Sequence, residues 1–368
     1  MVTALAPSGH VPGLDGARAV ATVAVFSFHA LWRTPALQPL GRVLGHADIG
    51  VEFFFVLSGF LVVRPLVAHA VAGGRPVGFV DFWRKRFARI WPAYLVALGV
   101  AVALGIGTLD GVGGWLKHGL LVDSWFDDGG GDGLRVSWTL VVEVAFYAAV
   151  LPLAAVLLLA GRRRLDAWIA ACLAVLAYGS WALAVTTQEQ TEPWLRVLPP
   201  YLPAFALGML LAVAERGDAR GAWLGAVVRG VRSLAGRAWL CWGLAGAALV
   251  AMILVLEPAA TAPAFRLGRD RAIQSFLQVA IAGLAIAPLA LRSGRAGFLA
   301  SPPLERLAAA SLGFFLWHIT VLRGVRPLLG GSTAEAILGL AIALLGSFAA
   351  GEASRRLVES PARRLLVR

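Results

Sequence analysis

Ten stretches of this chain are apolar enough and long enough to ask for a membrane: roughly 15–33, 48–68, 88–108, 138–160, 165–186, 198–214, 238–256, 272–291, 307–324 and 334–354. A helix rising 1.5 Å per residue needs about 20 apolar residues to cross ~30 Å of hydrocarbon. Several of the stretches are short or interrupted by a charge, so hydropathy alone supports eight to ten spans. The basic residues support ten. With the N-terminus inside, about two thirds of the Lys and Arg fall on the inner side, notably in Arg84 to Arg89, Arg162 to Arg164, Arg216 to Arg237 and Arg355 to Arg368. That asymmetry puts both termini in the cytoplasm. The expected fold is all-α: one integral-membrane domain over residues 1–368 with about ten transmembrane helices.

Composition agrees. Hydrophobic residues make up 59% of the 368 and charged residues 15%, with a mean hydropathy of +0.76. A soluble domain sits near 45–50% and about 25%. The net charge of +12 follows from topology, and no basic patch is interleaved with aromatics in the manner of a nucleic-acid surface. Cys172 and Cys241 both fall inside apolar runs, which argues against a disulfide framework or a cysteine metal site. Residues 1–13 lack a basic n-region and a small-residue cleavage site, so the first span is expected to direct insertion itself.

Two loops stand out. Asp110 to Arg135 carries Asp110, Asp123, Asp127, Asp128 and Asp132 and a Gly129-Gly130-Gly131 tip, and reads as a solvated, turn-rich loop on the outer side. Within it, Trp115 to Val122, which holds Lys117 and His118, reads as interfacial or re-entrant. Glu215 to Arg237 alternates Arg with small and apolar residues, and Arg229, Arg232 and Arg237 fit an amphipathic surface helix on anionic lipid.

The chemistry lies with charged groups inside the spans. In Leu14 to His29, Arg18 and His29 are eleven residues apart, ~20° from three full turns, so they share a face and lie ~16 Å apart along the axis. His29, Glu52, Glu143 and His318 come from four spans and by rise alone reach similar depth on the outer side. Ionisable groups there are functional candidates by default. Arg18, Arg64 and the run Arg84-Lys85-Arg86-Phe87-Ala88-Arg89 gather at the inner side, with Arg86 and Arg89 three apart on one face. Arginine suits bidentate phosphate binding, so a ligand with a phosphate-rich head and a reactive tail would use both groups. Ser58-Gly59 permits close backbone approach, although small residues in a span more often serve helix packing.

LDGARAVATVAVFSFHA, GVEFFFVLSGFLV, RFARIWPAYL, SWTLVVEVAFY and SLGFFLWHITV resemble, in order, successive signatures of the membrane acyltransferase-3 family of bacterial O-acyltransferases. RRLVESPARRL resembles the family's usual ending. The resemblance implies a multi-pass bacterial cell-membrane enzyme that moves an acyl group from acyl-CoA to a hydroxyl of a sugar or natural product. The family's basic-residue-then-His pattern of the first span lands on Arg18 and His29, its Arg-x-x-Arg on Arg86 and Arg89, and its fourth-span Trp and Glu on Trp138 and Glu143. Departures are Glu52 for a frequent Asp, Thr139 for a Ser, and Leu312 and Phe315 for tyrosines. No SGNH-type domain follows the last span, which points to a standalone member.

On this resemblance His29 is expected to be the general base, since an imidazole of pKa ~6.5 titrates near operating pH. Glu143 or Glu52 is expected to orient it as the acid does in a Ser-His-Asp triad. Arg18, Arg86 and Arg89 are expected to hold the phosphates of acetyl-CoA or another acyl-CoA, and Trp138 and His318 to line the substrate site. No metal is expected. Cell-wall glycan, exported polysaccharide, glycolipid and macrolide-type metabolite all remain open as acceptors. The rival class is a proton-coupled carrier of an anionic or glycosylated solute; against it, no paired halves with matching broken helices are visible.

Overall fold

The computed structural model describes residues 11–72, 77–126, 133–189, 196–217, 221–256, 269–291 and 297–367. All ten apolar stretches form helices. They are α1 (Leu14–Leu31), α2 (Gly50–Val71), α3 (Phe79–Ala103), α4 (Trp138–Leu157), α5 (Arg164–Glu189), α6 (Leu202–Arg216), α8 (Ala238–Val255) and α9 (Arg269–Leu291), then the pair α10 (Pro302–Ala309) and α11 (Ser311–Gly324), and α12 (Thr333–Ser354). The inner-loop helix α7 (Ala222–Ala235), a terminal helix α13 (Ser360–Leu366) and the short helices Gly41–Leu44, Gly111–Gly119 and Arg326–Leu329 accompany them. The chain is thus an all-α polytopic membrane protein.

Among the described residues eight helices are long and apolar enough to cross a membrane alone, and α10 with α11 makes a ninth span as a pair bent by 72°. The sixth stretch, α6, has 15 residues and is buried along almost its whole length. A helix apolar all round is a core element, and its neighbours are the reason. α6 packs against α2, α5 and α9, and Phe205 stacks on Phe55 and Phe146 with ring centroids 4.8 and 4.1 Å apart.

The α2–α6 crossing is built on two glycines. A Cβ at Gly208 would lie 2.1 Å from the Val56 carbonyl oxygen, and one at Gly59 would lie 2.3 Å from that of Phe205. Lipid-embedded helices associate through van der Waals contact, and small residues let their backbones approach. Gly59 is therefore a packing residue, whereas Ser58 beside it is not: its hydroxyl donates to Glu143 Oε1 at 2.7 Å.

The bend at Ala310 also changes a depth. His318 was placed along a continuous span from Leu307, but α11 begins at Ser311, so the histidine rises only about 10 Å from its start. At the outer loop, Gly111–Gly119 is a short helix docked on α3 through Trp91 Nε1 and the Tyr94 hydroxyl, which donate to the carbonyls of Gly119 and His118 at 3.0 and 2.9 Å. Asp127, Asp128, the three-glycine tip and Asp132 lie outside the described residues.

Candidate active site

His29 ends α1 and His318 lies mid-way along α11, and the packing of α1 on α11 brings their rings to a centroid distance of 5.0 Å. The hydrogen-bond pattern assigns the protons. His318 Nδ1 faces the Phe315 carbonyl oxygen at 2.6 Å, and a carbonyl only accepts, so that nitrogen carries hydrogen. Neutral His318 then presents Nε2 as an acceptor, 3.2 Å from His29 Nδ1. His29 Nδ1 also faces the Val25 carbonyl oxygen at 2.9 Å. Between two acceptors His29 Nδ1 must be the donor. That leaves His29 Nε2 as the basic nitrogen, with no hydrogen-bond partner among the described residues.

The carboxylates are elsewhere, which corrects the expectation that Glu143 or Glu52 orients the imidazole. Glu52 is turned away by helix geometry. Gly50 abuts α1, its Cβ position 2.6 Å from the Ala21 carbonyl oxygen, and two residues at 100° each rotate Glu52 ~200° from that contact. The buried Glu52 instead lies one turn beyond Asp48, within Coulombic range of Arg271 and Tyr201. Asp48 accepts from Gln278 Nε2 at 2.6 Å and lies 3.7 Å from Arg271 Nη1. Trp138 joins that side, its ring 5.3 Å from that of Tyr201. The four groups expected at one depth thus separate into a histidine pair and two carboxylate sites.

Glu143 belongs to the arginines. Its Oε1 accepts from Ser58 and from the Tyr147 hydroxyl one turn on, and Tyr147 lies under the Arg86 guanidinium at 5.2 Å from the ring centroid. Phe82 flanks the same guanidinium at 5.4 Å. Arg18 is paired to Asp15 at 3.4 Å and lies within Coulombic range of Arg89, Glu143 and Tyr147. Arg18, Arg86, Arg89, Glu143 and Tyr147 therefore form one inner cluster built from α1, α3 and α4. Arg86 Nε is buried without a hydrogen-bond partner, and such an atom is costly unless a ligand or water completes it.

Arg64, read from the sequence as part of this cluster, is spent on structure. Its Nε and Nη2 donate to Glu215 of α6 at 2.7 and 2.8 Å, a bidentate pair across the α2–α6 crossing. Arg64→Ala is expected to lower the melting temperature by removing roughly 1–3 kcal/mol of charged hydrogen bonding. Differential scanning fluorimetry of the purified variant checks this, with ligand affinity unchanged.

Tyr147 was not singled out from the sequence, where only its i, i+4 spacing from Glu143 signalled it, and Ser58 was read there for close packing and not for its hydroxyl. Arg33 was missed too. It follows His29 by four residues, donates to the His29 carbonyl at 2.8 Å, and with Arg135 lies within Coulombic range of the His29 ring. Among the described residues no cluster of His, Cys, Asp and Glu could hold a metal ion.

The histidine pair lies toward one end of α1 and the arginine cluster toward the other, and comparison with known proteins supplies the class. The sequence matches the acyltransferase-3 family, described as an acyltransferase domain, over residues 11–352, and the chain belongs to that family. It is 31% identical to acyltransferase MdmB of Streptomyces mycarofaciens over 97% of this chain and 93% of that protein. It is 26% identical to O-acetyltransferase OatA of Staphylococcus aureus (strain NCTC 8325 / PS 47) over 38% of this chain and 24% of that longer protein. No solved structure matches.

Proposed function

We propose that this protein is a bacterial cell-membrane O-acyltransferase. It takes an acyl group, acetyl by default, from acyl-CoA and delivers it to a hydroxyl of a sugar, a cell-surface glycan, or a glycosylated or macrolide-type metabolite. His29 Nε2 accepts the proton of that hydroxyl as its oxygen attacks the thioester carbonyl. The tetrahedral intermediate then expels the CoA thiolate, which takes up a proton, and the acyl ester is left on the acceptor. General-base catalysis of this kind contributes about 10²–10⁴-fold. His318 and the Val25 carbonyl hold the imidazole in the tautomer this requires, the orienting work that a carboxylate does in a triad.

The observation that carries this reading is the free Nε2 of His29, with the cation cluster on the inner part of the same helix. Arg18, Arg86 and Arg89 hold the donor's phosphates, and the acyl-pantetheine arm runs from them along α1 toward His29. Glu143, bonded to Ser58 and Tyr147, positions the aromatic shelf on which Arg86 rests. Trp138 and Tyr201, their rings tilted 39° to each other, offer an aromatic surface on the Glu52 side, suited to the faces of an acceptor ring.

Donor binding tests the proposal without knowledge of the acceptor, because a ligand of the folded state raises its melting temperature. Acetyl-CoA is expected to stabilise the wild-type protein in detergent. Arg89→Ala is expected to lose most of the shift and His29→Ala to keep it. A folded wild-type protein that shows no shift at saturating acetyl-CoA overturns the reading, and proton-dependent solute uptake in proteoliposomes would then decide for a carrier.

A further inference from the structure

The last helix turns sharply in register before the chain ends. α12 runs to Ser354, residues Arg355–Glu359 form a π-helical turn, and α13 follows from Ser360. The cause is in the sequence. Pro361 has no N–H to return to the Leu357 carbonyl, and the ladder shifts so that the Ser360 N–H bonds to the Arg355 carbonyl five residues back. One extra residue in a turn rotates everything beyond it by ~100°. The π turn and α13 both pack along α3, the helix that carries Arg86 and Arg89.

That rotation sorts the arginines at this end of the molecule. Arg355 and Arg356 are both held by Glu352, Arg355 through two bonds of 2.7 Å. Arg64 is held by Glu215, and Arg84 by Asp81 at 2.9 Å. Arg86, Arg89 and Arg363 have no carboxylate partner among the described residues. Arg363 is exposed and within Coulombic range of Arg89, which is itself within range of Arg18. Like charges gathered in this way repel, and an anion that joins them relieves the repulsion. Glu359, within Coulombic range of both Arg363 and Arg89, is 3% exposed and has a buried Oε1 without a hydrogen-bond partner. Two orphaned polar atoms, Arg86 Nε on α3 and Glu359 Oε1 on the π turn, thus lie on the two packed elements that carry these cations.

We propose that the face of the C-terminal segment carrying Glu359 and Arg363 forms a wall of the donor site and that Arg363 binds the terminal phosphate of the acyl donor, the 3′-phosphate of CoA. This rests on the acyl-CoA reading above. The exposed position of Arg363 suits the end of CoA farthest from the thioester, while Arg86 and Arg89, set deeper against the bundle, take the pyrophosphate. Glu359 neutralises part of the repulsion between Arg89 and Arg363 and offers Oε1 to a donor N–H on the nucleotide.

The same chemistry would serve the phosphate of an anionic lipid, so the test has two arms. The full chain is placed in phosphatidylcholine nanodiscs with and without phosphatidylglycerol, and affinities for acetyl-CoA and its 3′-dephospho form are measured for wild type, Arg363→Ala and Arg364→Ala. Wild type is expected to bind the 3′-phosphorylated donor about 10-fold tighter than the dephospho form, the worth of a hydrogen-bonded charge pair. Arg363→Ala is expected to bind the two alike, with its melting temperature without ligand unchanged. Arg364→Ala, an exposed neighbour on another face, keeps the wild-type preference. Unchanged discrimination in Arg363→Ala overturns this inference alone, as does an equal loss for both donors or an effect confined to discs with phosphatidylglycerol, which would make Arg363 a lipid ligand. A wild-type protein that binds neither donor overturns the acyl-CoA reading and this inference with it.

Discussion

His29→Ala is expected to lower kcat for acyl transfer by about 10²–10⁴-fold while leaving the affinity for acetyl-CoA within a factor of two. The separation follows from distance along one helix. Arg18 and His29 lie ~16 Å apart on α1, so the phosphate cluster does not feel the loss of the imidazole. A group used only as a bond is made or broken lowers kcat and leaves donor binding intact. His318→Ala is expected to cost less, about 10-fold, because the Val25 carbonyl still fixes the His29 tautomer. His318→Gln, whose amide oxygen can replace the Nε2 acceptor, is expected to recover part of that loss. Steady-state kinetics of CoA release with an identified acceptor checks all three. Equal losses for His29→Ala and His318→Ala would mean that the two imidazoles act as a unit, and that the tautomer argument assigns too much to Val25.

Much of this site could be read from the chain because rise and rotation along a helix are fixed. The shared face of Arg18 and His29, and that of Arg86 and Arg89, needed nothing beyond 100° and 1.5 Å per residue. What could not be read is which helices are neighbours. By rise alone Glu52 was expected at the height of His29, but Gly50 meets α1 at Ala21 and Val25, which sets Glu52 inward of His29 and turns it to the far side of α2. Glu143 was assigned to a histidine and belongs to an arginine cluster, because Ser58 and Tyr147, not His29, stand opposite its carboxylate. Arg64 looked like a phosphate ligand until its partner appeared 151 residues later in the chain. The C-terminal motif was visible, but the face on which Arg363 emerges depends on a π turn that no 3.6-residue pattern registers.

The fold itself hangs on a residue type that hydropathy undervalues, and Gly208→Leu is expected to abolish folded protein. The glycine lies 2.1 Å, at its Cβ position, from the Val56 carbonyl oxygen and 2.6 Å from the Phe60 nitrogen, so any side chain meets backbone rather than a movable group. Overpacking in a core typically costs 1–3 kcal/mol where neighbours can shift, and more where they are backbone. Total stability is only about 5–15 kcal/mol. Separating α2 from α6 would also break the Arg64–Glu215 pair and unstack Phe205 from Phe55, losses that share one interface and act together. Gly243→Leu is the control. It lies on α8, where a Cβ meets nothing within 4 Å, and the variant is expected to melt close to wild type. Monodispersity in detergent and melting temperature for the two variants decide the matter. A well-folded Gly208→Leu protein would show that α2 and α6 can part without loss of the bundle, and would remove the crossing from the elements that hold α1 and α4 in place around the site.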